Sequence, residues 1–389
     1  MPRTVSSRAL PAVALVAGLV SAAVGRGESL GISTILPFDY GATGIRADSG
    51  TDVVITGGTG LPNLIQPTPA FIYAGSLDAL TSVTTSADAR LHLFMPSFGG
   101  TTAYASMFYG PNTHRFNPSS IPAGSIRAVG AYLQNGPADF QKGMIYDGPL
   151  DGSGTWTSLQ VPGADIGTTI PHSTMGNLVV GNYDLLTALS VGRPFVYDIV
   201  SGSYKRLDIN GAYAATVYGI WQNGGDGSSS YTLIGGLKQT ASSTGQAFVV
   251  SYDSVSQNLS GLALYNFADD VGIDTHFEGI SAFAGGFSIA ANQVAGASSG
   301  AYAFIPYSGA VGSYVYGAAT WKSITNTVNG ATTTGDTVID DKVIGIYPVA
   351  GGIRSYVTTV PEIDPAGLAS VLALLGGGLG VLERRRQRT

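Results

Sequence analysis

The chain has 389 residues, of which 11% are charged and 44% are hydrophobic, with 55 glycines and no cysteine. Nineteen basic residues against 25 acidic ones give a formal net charge of −6. The hydrophobic content excludes a disordered chain, and the lack of cysteine excludes a scaffold held by disulfides. The acidic balance argues against nucleic acid as a partner, because phosphate backbones and an acidic surface repel each other.

The N-terminus has the features of a secretory signal peptide. Arg3 and Arg8 form a basic region, residues 9–24 are apolar with many small side chains, and Ser21-Ala22-Ala23 supplies a small-x-small cleavage site. We therefore expect residues 1–23 to be removed on export. An uncleaved N-terminal membrane anchor is the alternative.

Residues 24–358 are predicted to form an all-β passenger. No long stretch shows a period near 3.6, whereas short apolar runs bounded by Gly, Asn, Asp and Pro recur about every ten residues. This pattern is typical of a β-sandwich, a barrel or a propeller. The predicted strands are 51–56, 70–73, 91–95, 125–133, 142–146, 194–199, 231–234, 247–252, 287–291, 301–306 and 342–347.

The spacing of one aromatic motif favours a β-propeller. Tyr146, Tyr197, Tyr252 and Tyr307 end similar strand-like runs, at intervals of 51, 55 and 55 residues. A period near 50 with four short strands is typical of propeller blades, whose faces stay unburied until neighbouring blades pack against them. We predict five to seven blades, with the repeats clearest over 140–350. The alternatives are a shorter propeller with an irregular N-terminal region, or β-sandwiches.

One polar pair is the candidate for chemistry. In a strand, His276 and Glu278 would point to the same face, where they could act as metal ligands or as an acid–base pair. A hydrogen-bonded pair at the inner edge of a blade is the simpler interpretation. The remaining histidines, His92, His114 and His172, are scattered along the chain. We therefore predict that the passenger is not an enzyme and holds no metal through these residues.

A second motif matches the serine-hydrolase pattern G-x-S-x-G. It is Gly296-Ala297-Ser298-Ser299-Gly300. A nucleophile elbow needs a strand before the serine and a helix after it. Here a strand-like run, 301–306, follows instead. We therefore predict a hairpin connection at this motif.

Three acidic turns could bind Ca²⁺. They are residues 147–154, residues 223–226 and the pair Asp269-Asp270. None has the full spacing of an EF-hand loop, and Asp and Gly are also the ordinary residues of tight turns. We predict no cofactor, with Ca²⁺ as the open alternative.

The C-terminal tail, 361–389, combines a polar motif, an uncharged segment and a basic end. The 17 uncharged residues 366–382 would span roughly 25 Å as a helix, slightly less than a hydrocarbon core of about 30 Å. The arginines should stay cytoplasmic. We predict a single transmembrane sorting helix, and a buried core helix is the alternative. The flanking residues are Pro361, Glu362, Ile363, Asp364 and Pro365 before the segment, and Arg384, Arg385, Arg386 and Arg388 after it.

This tail resembles the PEP-CTERM sorting signal, particularly its planctomycete-like form. The usual Pro-Glu-Pro has become Pro361-Glu362-Ile363, and the sequence Glu-Ile-Asp-Pro-Ala-Gly of that form is present. The resemblance implies that an exosortase, a membrane cysteine transpeptidase, cuts near this motif and passes the passenger to an acceptor. It also implies a location in the cell envelope, at the cell surface or in the extracellular matrix, after transient anchoring in the cytoplasmic membrane.

The predicted function is that of an exported structural or ligand-binding protein that recognises exopolysaccharide or other envelope components. Removal of residues 1–23 and of everything after Glu362 would leave 13 basic and 23 acidic residues, for a net charge near −10. Twenty tyrosines and three tryptophans suit saccharide binding. The alternative is a hydrolase or lyase that degrades extracellular polysaccharide, which requires carboxylates and histidines to converge at the central channel.

Overall fold

A computed structural model describes residues 29–60, 67–295, 297–326 and 332–361. The chain divides into two compact units, Met1–Thr359 and Val360–Thr389. The predicted signal peptide, the sorting motif after its first proline, the segment 366–382 and the terminal arginines lie outside the described residues. Within those residues, no helix is long and apolar enough to span a bilayer.

The first unit is built from six antiparallel sheets that follow one another along the chain as the blades of a β-propeller. Blade 1 contains β2 (Tyr40–Ala47), β3 (Asp52–Thr59), β4 (Ala70–Ser76) and β5 (Leu91–Phe94). A small hairpin, β6 (Ser97–Phe98) and β7 (Thr101–Thr102), precedes blade 2, which contains β8 (Ala105–Thr113), β9 (Ser125–Leu133), β10 (Lys142–Pro149) and β11 (Thr155–Leu159). Blade 3 contains β12 (Ile166–Met175), β13 (Leu178–Leu185), β14 (Ala188–Asp198) and β15 (Ser203–Arg206).

The second half of the unit continues the pattern. Blade 4 contains β16 (Ala214–Gln222), β17 (Ser230–Lys238), β18 (Gln246–Asp253) and β19 (Asn258–Tyr265). Blade 5 contains β20 (Asp274–Phe283), β21 (Gly286–Ala295) and β22 (Ala297–Ser308), whose outer edge carries both β23 (Val315–Tyr316) and β24 (Thr320–Ser323). Blade 6 contains β25 (Thr337–Ile339), β26 (Lys342–Val349) and β27 (Gly352–Thr359). Short 3₁₀ turns occur at Leu77–Ser82 and Phe267–Asp269.

The fourth strand of blade 6 comes from the other end of the passenger. This strand, β1 (Ser33–Ile35), pairs antiparallel with β27, with Ser33 opposite Val357 and Ile35 opposite Ser355. Ile35 is 1% exposed and joins the core between blades 6 and 1. The ring of blades is therefore closed by hydrogen bonds between the first and last strands, so the closure depends on residues more than 300 positions apart.

The aromatic repeat in the sequence corresponds to one structural position. Tyr146, Tyr197, Tyr252 and Tyr307 lie on the third strands of blades 2 to 5, and Tyr73 lies on the third strand of blade 1. The prediction of an all-β propeller is confirmed, with six blades. The first half is as regular as the second, so the alternatives of an irregular N-terminal region and of β-sandwiches are wrong.

The innermost strand of each of blades 1 to 5 contains a β-bulge. At this point one residue has no counterpart on the second strand, and such bulges redirect a side chain. In every case a small residue comes next in the sequence. The bulged residues are Thr43, Tyr109, His172, Tyr218 and Glu278, and the small residues are Gly44, Gly110, Ser173, Gly219 and Gly279.

The small residues allow neighbouring innermost strands to approach each other around the axis. A Cβ atom at Gly110 would lie 2.8 Å from the carbonyl oxygen of His172 in blade 3. A Cβ atom at Gly279 would lie 2.6 Å from the Cα atom of Thr337 in blade 6. Because both obstacles are backbone atoms, they cannot move aside as a flexible side chain would. Glycine at these positions therefore sets the distance between the blades.

Replacement of Gly279 by Ala should consequently destabilise the passenger. We expect a loss of about 1–3 kcal/mol in the free energy of unfolding, because an added methyl group overpacks the contact between blades 5 and 6. Gly31→Ala is the control, since nothing lies within 4 Å of a Cβ atom there. Denaturant unfolding of both variants measures the difference. Equal stabilities would contradict the proposed role of Gly279.

Candidate functional site

The bulged residues of blades 1 to 5 line a cavity on the propeller axis, and Asp336 supplies the equivalent position in blade 6. The equivalence follows from contacts with the second strands. A Cβ atom at Gly235 of blade 4 would overlap the carbonyl oxygen of Thr216, two residues before Tyr218. In the same way, a Cβ atom at Gly345 of blade 6 would overlap the carbonyl oxygen of Thr334, two residues before Asp336. The cavity has a volume of about 390 Å³, which suits a small ligand. The six positions, here called the channel belt, are Thr43, Tyr109, His172, Tyr218, Glu278 and Asp336.

Four aromatic rings follow one another along one side of the belt. The ring centroids of Tyr109 and His172 are 5.0 Å apart, and those of His172 and Tyr218 are 4.6 Å apart. The ring of His276 continues the series, 5.5 Å from Tyr218. These tilted and edge-on contacts hold the side chains in place. The channel wall over blades 2 to 5 is therefore a fixed aromatic surface.

The predicted pair His276 and Glu278 lies on β20, where the two side chains contact each other and Glu278 lines the channel cavity. Nε2 of His276 is 2.9 Å from Oε1 of Glu278. The side-chain amide of Asn292 donates to the same oxygen at 3.4 Å, and its own oxygen accepts from the backbone N–H of Gly335 at 2.8 Å. In the described part of the chain, no group donates to Oε2 of Glu278, which leaves that oxygen available to a ligand.

The negative charge of Glu278 contributes to the pKa shifts of the other titratable groups of the belt. Burial raises the pKa of Tyr109 to about 12, and the negative charge of Glu278 adds to this shift. Burial also raises the pKa of Tyr218, and it raises the pKa of Asp336 well above its ordinary value, with Glu278 contributing in both cases. Burial lowers the pKa of His172, although Glu278 opposes the change. In the belt, burial thus disfavours the charged forms of the two phenols, of the imidazole and of the carboxyl group of Asp336.

One end of the cavity is formed by Arg46 of blade 1. Its Nη2 donates to the carbonyl oxygen of Ile220 in blade 4 at 3.1 Å, and its Nη1 donates to those of Ile45 at 3.0 Å and Ile280 at 3.4 Å. The guanidinium also lies 5.7 Å from the ring centroid of Trp221. Blades 1 and 4 are opposite each other in a ring of six, so this side chain crosses the axis. Burial lowers its pKa to about 10.

A second recess adjoins the belt between blades 3, 4 and 5. Its volume is about 350 Å³, and Tyr218 and His276 border it. Lys238 and Asp274 also line it, with Nζ 3.8 Å from Oδ2. His276 therefore stands between the recess and the channel, in contact with Glu278.

The other histidines are distributed differently. His92 lies on β5, an outer strand, and Nδ1 of His114 contacts the carbonyl oxygen of Ile121 at 2.7 Å. Neither borders the channel cavity. His172 does, and so do Tyr109 and Asp336, which sequence reasoning did not select. The sequence pattern that could have identified these positions is a polar or aromatic residue followed by a small one, as in Tyr-Gly, His-Ser, Glu-Gly and Asp-Thr.

The acidic turns considered for Ca²⁺ make contacts within the protein. Asp147 pairs with Arg127 at 2.6 Å. Asp226 accepts hydrogen bonds from Asn117 at 3.1 Å and from the hydroxyl group of Ser119 at 2.9 Å. Within the described ranges, no group of three or more acidic or histidine side chains is arranged to hold a metal ion.

The G-x-S-x-G motif lies at the hairpin between β21 and β22. Ala295 pairs with Ala297 across the turn, and β22 continues from there as a strand. Nε2 of Gln293 donates to Oγ of Ser299 at 2.5 Å. A strand rather than a helix follows the serine, so the geometry of a nucleophile elbow is not formed.

The raised pKa of Asp336 makes the stability of the passenger depend on pH. Between the ordinary carboxyl pKa near 4 and its raised value, Asp336 binds its proton in the folded state more tightly than in the unfolded chain, so stability falls as pH rises. Asp336→Asn removes this effect. We expect the melting temperature of the variant, relative to wild type, to increase as the pH rises above about 4 and to level off above the raised pKa of Asp336.

The control for this experiment is Asp226→Asn. Burial alone would raise the pKa of Asp226, but hydrogen bonds from Asn117 and Ser119 outweigh it and lower the pKa. Its stabilising effect is therefore present at neutral pH and lost on acidification, so this variant should be less stable at pH 7 and should approach wild type at low pH. A pH-independent difference for Asp336→Asn would contradict our account of the belt.

Comparison with known proteins gives likenesses of fold only. No family model matches the chain, and neither does any curated protein. Among solved structures, the chain is similar to a hypothetical protein from Leishmania major, with 10% identity over 90% of this chain and 95% of that one and a TM-score of 0.38. It is also similar to extracellular domains 1–2 of Drosophila semaphorin 1b, with 8% identity over 87% and 88% and a TM-score of 0.41. For the extracellular domain of a B. thetaiotaomicron protein described as a one-component system, identity is 9% over 83% of this chain and 39% of that one, with a TM-score of 0.35.

Proposed function

We propose that this protein is exported, sorted to the cell surface or matrix by an exosortase-type transpeptidase, and binds a saccharide unit in its central channel. The observation that carries the binding role is the channel belt, in which aromatic rings and carboxyl groups from different blades converge on one cavity. Rigid aromatic walls with a few polar groups are typical of small-ligand sites.

The sorting part of the proposal is supported by the two ends of the sequence. The first 23 residues have the order of a signal peptide, and the tail places an uncharged segment between a polar motif and four arginines. Such a segment would hold the exported chain at the cytoplasmic membrane while an exosortase acts on the motif that begins at Pro361. The partners of the proposal are therefore this enzyme, the membrane during sorting, and an envelope or matrix acceptor.

The saccharide part of the proposal rests on the lining of the cavity. Aromatic faces cover the apolar faces of sugar rings, and carboxyl oxygens accept hydrogen bonds from sugar hydroxyls. Tyr109 and Tyr218 supply the aromatic faces, and Glu278 and Asp336 supply the carboxyl oxygens. A cavity of about 390 Å³ accommodates one or two sugar units, such as the end or a branch of a polysaccharide.

Hydrolysis or elimination of a polysaccharide is the second candidate function. The observation in its favour is that Glu278 and Asp336 line the same cavity, while burial and the charge of Glu278 raise the pKa of Asp336. Two carboxyl groups with unlike proton affinities are the arrangement in which one acts as acid and the other as base. His276, in contact with Glu278, would then position the base.

The sorting proposal predicts an effect of the terminal arginines. Replacement of Arg384, Arg385 and Arg386 by Gln should let more of the chain pass through the membrane uncleaved and reach the medium, because the stop signal is weakened. Lys205→Gln, on the exposed outer strand of blade 3, is the control. Cell fractionation and the intact mass of the secreted protein measure the outcome. Unchanged fractionation with an unchanged mature mass would exclude the sorting model.

The binding proposal predicts an effect of the aromatic wall. Tyr218→Ala should weaken binding of the exopolysaccharide from the producing cells by roughly 10- to 30-fold, because the loss of a buried aromatic anchor costs about 2 kcal/mol. Tyr213→Ala is the matched control, since Tyr213 is 45% exposed. Titration calorimetry with size-fractionated fragments measures both variants.

The same samples separate binding from catalysis. Release of reducing ends or of unsaturated sugars by wild type, abolished in Glu278→Gln, would replace the binding proposal with the enzymatic one. Equal affinities of Tyr218→Ala, Tyr213→Ala and wild type would place the ligand elsewhere than the channel.

A further inference from the structure

We infer that the sugar unit received in the channel is cationic, with a primary ammonium group held beside Glu278 and Asp336. This inference rests on the proposed function, since it specifies the charge of the ligand at the same site. It is carried by the arrangement of carboxyl groups, aromatic rings and the single arginine around the cavity.

The two carboxyl groups occupy adjacent positions of the belt. Glu278 belongs to blade 5 and Asp336 to blade 6, and the residues that follow them, Gly279 and Thr337, are in backbone contact. Glu278 lines the cavity, Nε2 of His276 contacts its Oε1, and no described residue donates to its Oε2. An ammonium group with three N–H donors can bond to this oxygen and to the neighbouring carboxyl group at the same time.

The aromatic wall strengthens the attraction for a cation. Tyr109 and Tyr218 line the same cavity as Glu278, and its negative charge raises the pKa of both phenols in addition to the effect of burial. Both rings therefore border the cavity in which a ligand bonded to Glu278 would lie. Phenol rings attract ammonium groups by about 0.5–2 kcal/mol, most strongly where water is excluded.

The arginine at the end of the cavity does not cancel this attraction. Arg46 lies three residues beyond the belt position Thr43, and its Nη1 reaches the carbonyl oxygen of Ile280, two residues beyond Glu278, at 3.4 Å. Three backbone carbonyl groups from blades 1, 4 and 5 already accept from its guanidinium. None of these hydrogen bonds of Arg46 goes to Glu278 or Asp336, so both carboxyl groups remain available to a ligand.

The alternatives by charge fit less well. A neutral sugar would cover the carboxylate of Glu278 and leave only the imidazole of His276, 2.9 Å from Oε1, to offset its charge. An anionic sugar would place a third acidic group against Glu278 and Asp336. A cation instead adds a positive charge beside Glu278, where the neighbouring His276 is charged only when protonated, and it favours ionisation of Asp336.

The test compares three sugars that share one ring and differ in charge. Glucosamine, glucose and glucuronate are titrated into the wild-type passenger at pH 7 and monitored by saturation-transfer NMR or calorimetry. We expect glucosamine to bind at least tenfold more tightly than glucose, and glucuronate to bind more weakly than glucose. Equal binding of glucosamine and glucose, or a preference for glucuronate, would overturn the inference.

Variants locate the effect at the two carboxyl groups. Glu278→Gln should reduce the preference for glucosamine over glucose by about tenfold, and Asp336→Asn should reduce it in the same direction. Asp274→Asn is the control, because Asp274 lines the neighbouring recess and is paired with Lys238. The comparison of sugars on wild type decides the question even where a belt variant does not fold.

The outcomes distinguish this inference from the proposed function. If glucose binds as well as glucosamine, and Tyr218→Ala weakens both, the channel binds saccharides and only the charge assignment fails. If none of the sugars or polysaccharide fragments binds in the channel, the saccharide proposal itself fails. If CaCl₂ displaces glucosamine at equal ionic strength and binds alone with higher affinity, the site takes an inorganic cation, and the ammonium assignment is wrong.

Discussion

The close approach of the six innermost strands is the constraint on which the rest of the passenger depends. Each strand can approach the next only where the side chain is absent or small, as the contact of Gly279 with the backbone of Thr337 shows. The bulge immediately before that position turns the preceding side chain toward the axis. Two adjacent residues therefore determine the packing between blades and the lining of the channel. The second residue must be small so that the blades can pack, whereas the first, bulged residue can carry any side chain that suits a ligand.

Two further contacts hold the ring together across long distances in the sequence. The pairing of β1 with β27 closes it at the edge, and Arg46 ties blade 1 to blades 4 and 5 across the axis. A buried guanidinium is costly unless it is hydrogen-bonded, and here three carbonyl groups accept from Nη1 and Nη2 of Arg46. Because these carbonyl groups belong to strands that also carry belt residues, the contacts that close the propeller also hold the channel wall in position.

Sequence reasoning reached the architecture because the third strands repeat at a nearly constant interval. Tyr146, Tyr197, Tyr252 and Tyr307 fill the same place in four blades, so their spacing revealed the period. The repeat is harder to recognise in the first half, because the similar runs Phe71–Tyr73 and Met107–Tyr109 lie on a third strand and on a first strand, respectively. The hairpin β6–β7 also lengthens the connection between blades 1 and 2.

The channel belt was only partly predictable, because its members occupy equivalent positions in their blades but are of different residue types. They are separated by between 46 and 66 residues and include a hydroxyl group, two phenols, an imidazole and two carboxyl groups. His276 and Glu278 were found because alternation along one strand places them on one face. Asp336 and His172 could not be found in that way, because their proximity to Glu278 is created by the ring of blades. Since the small residue that follows carries the packing, the bulged residue can change with little effect on the blade contacts, and it is at this position that such a propeller can acquire a different ligand.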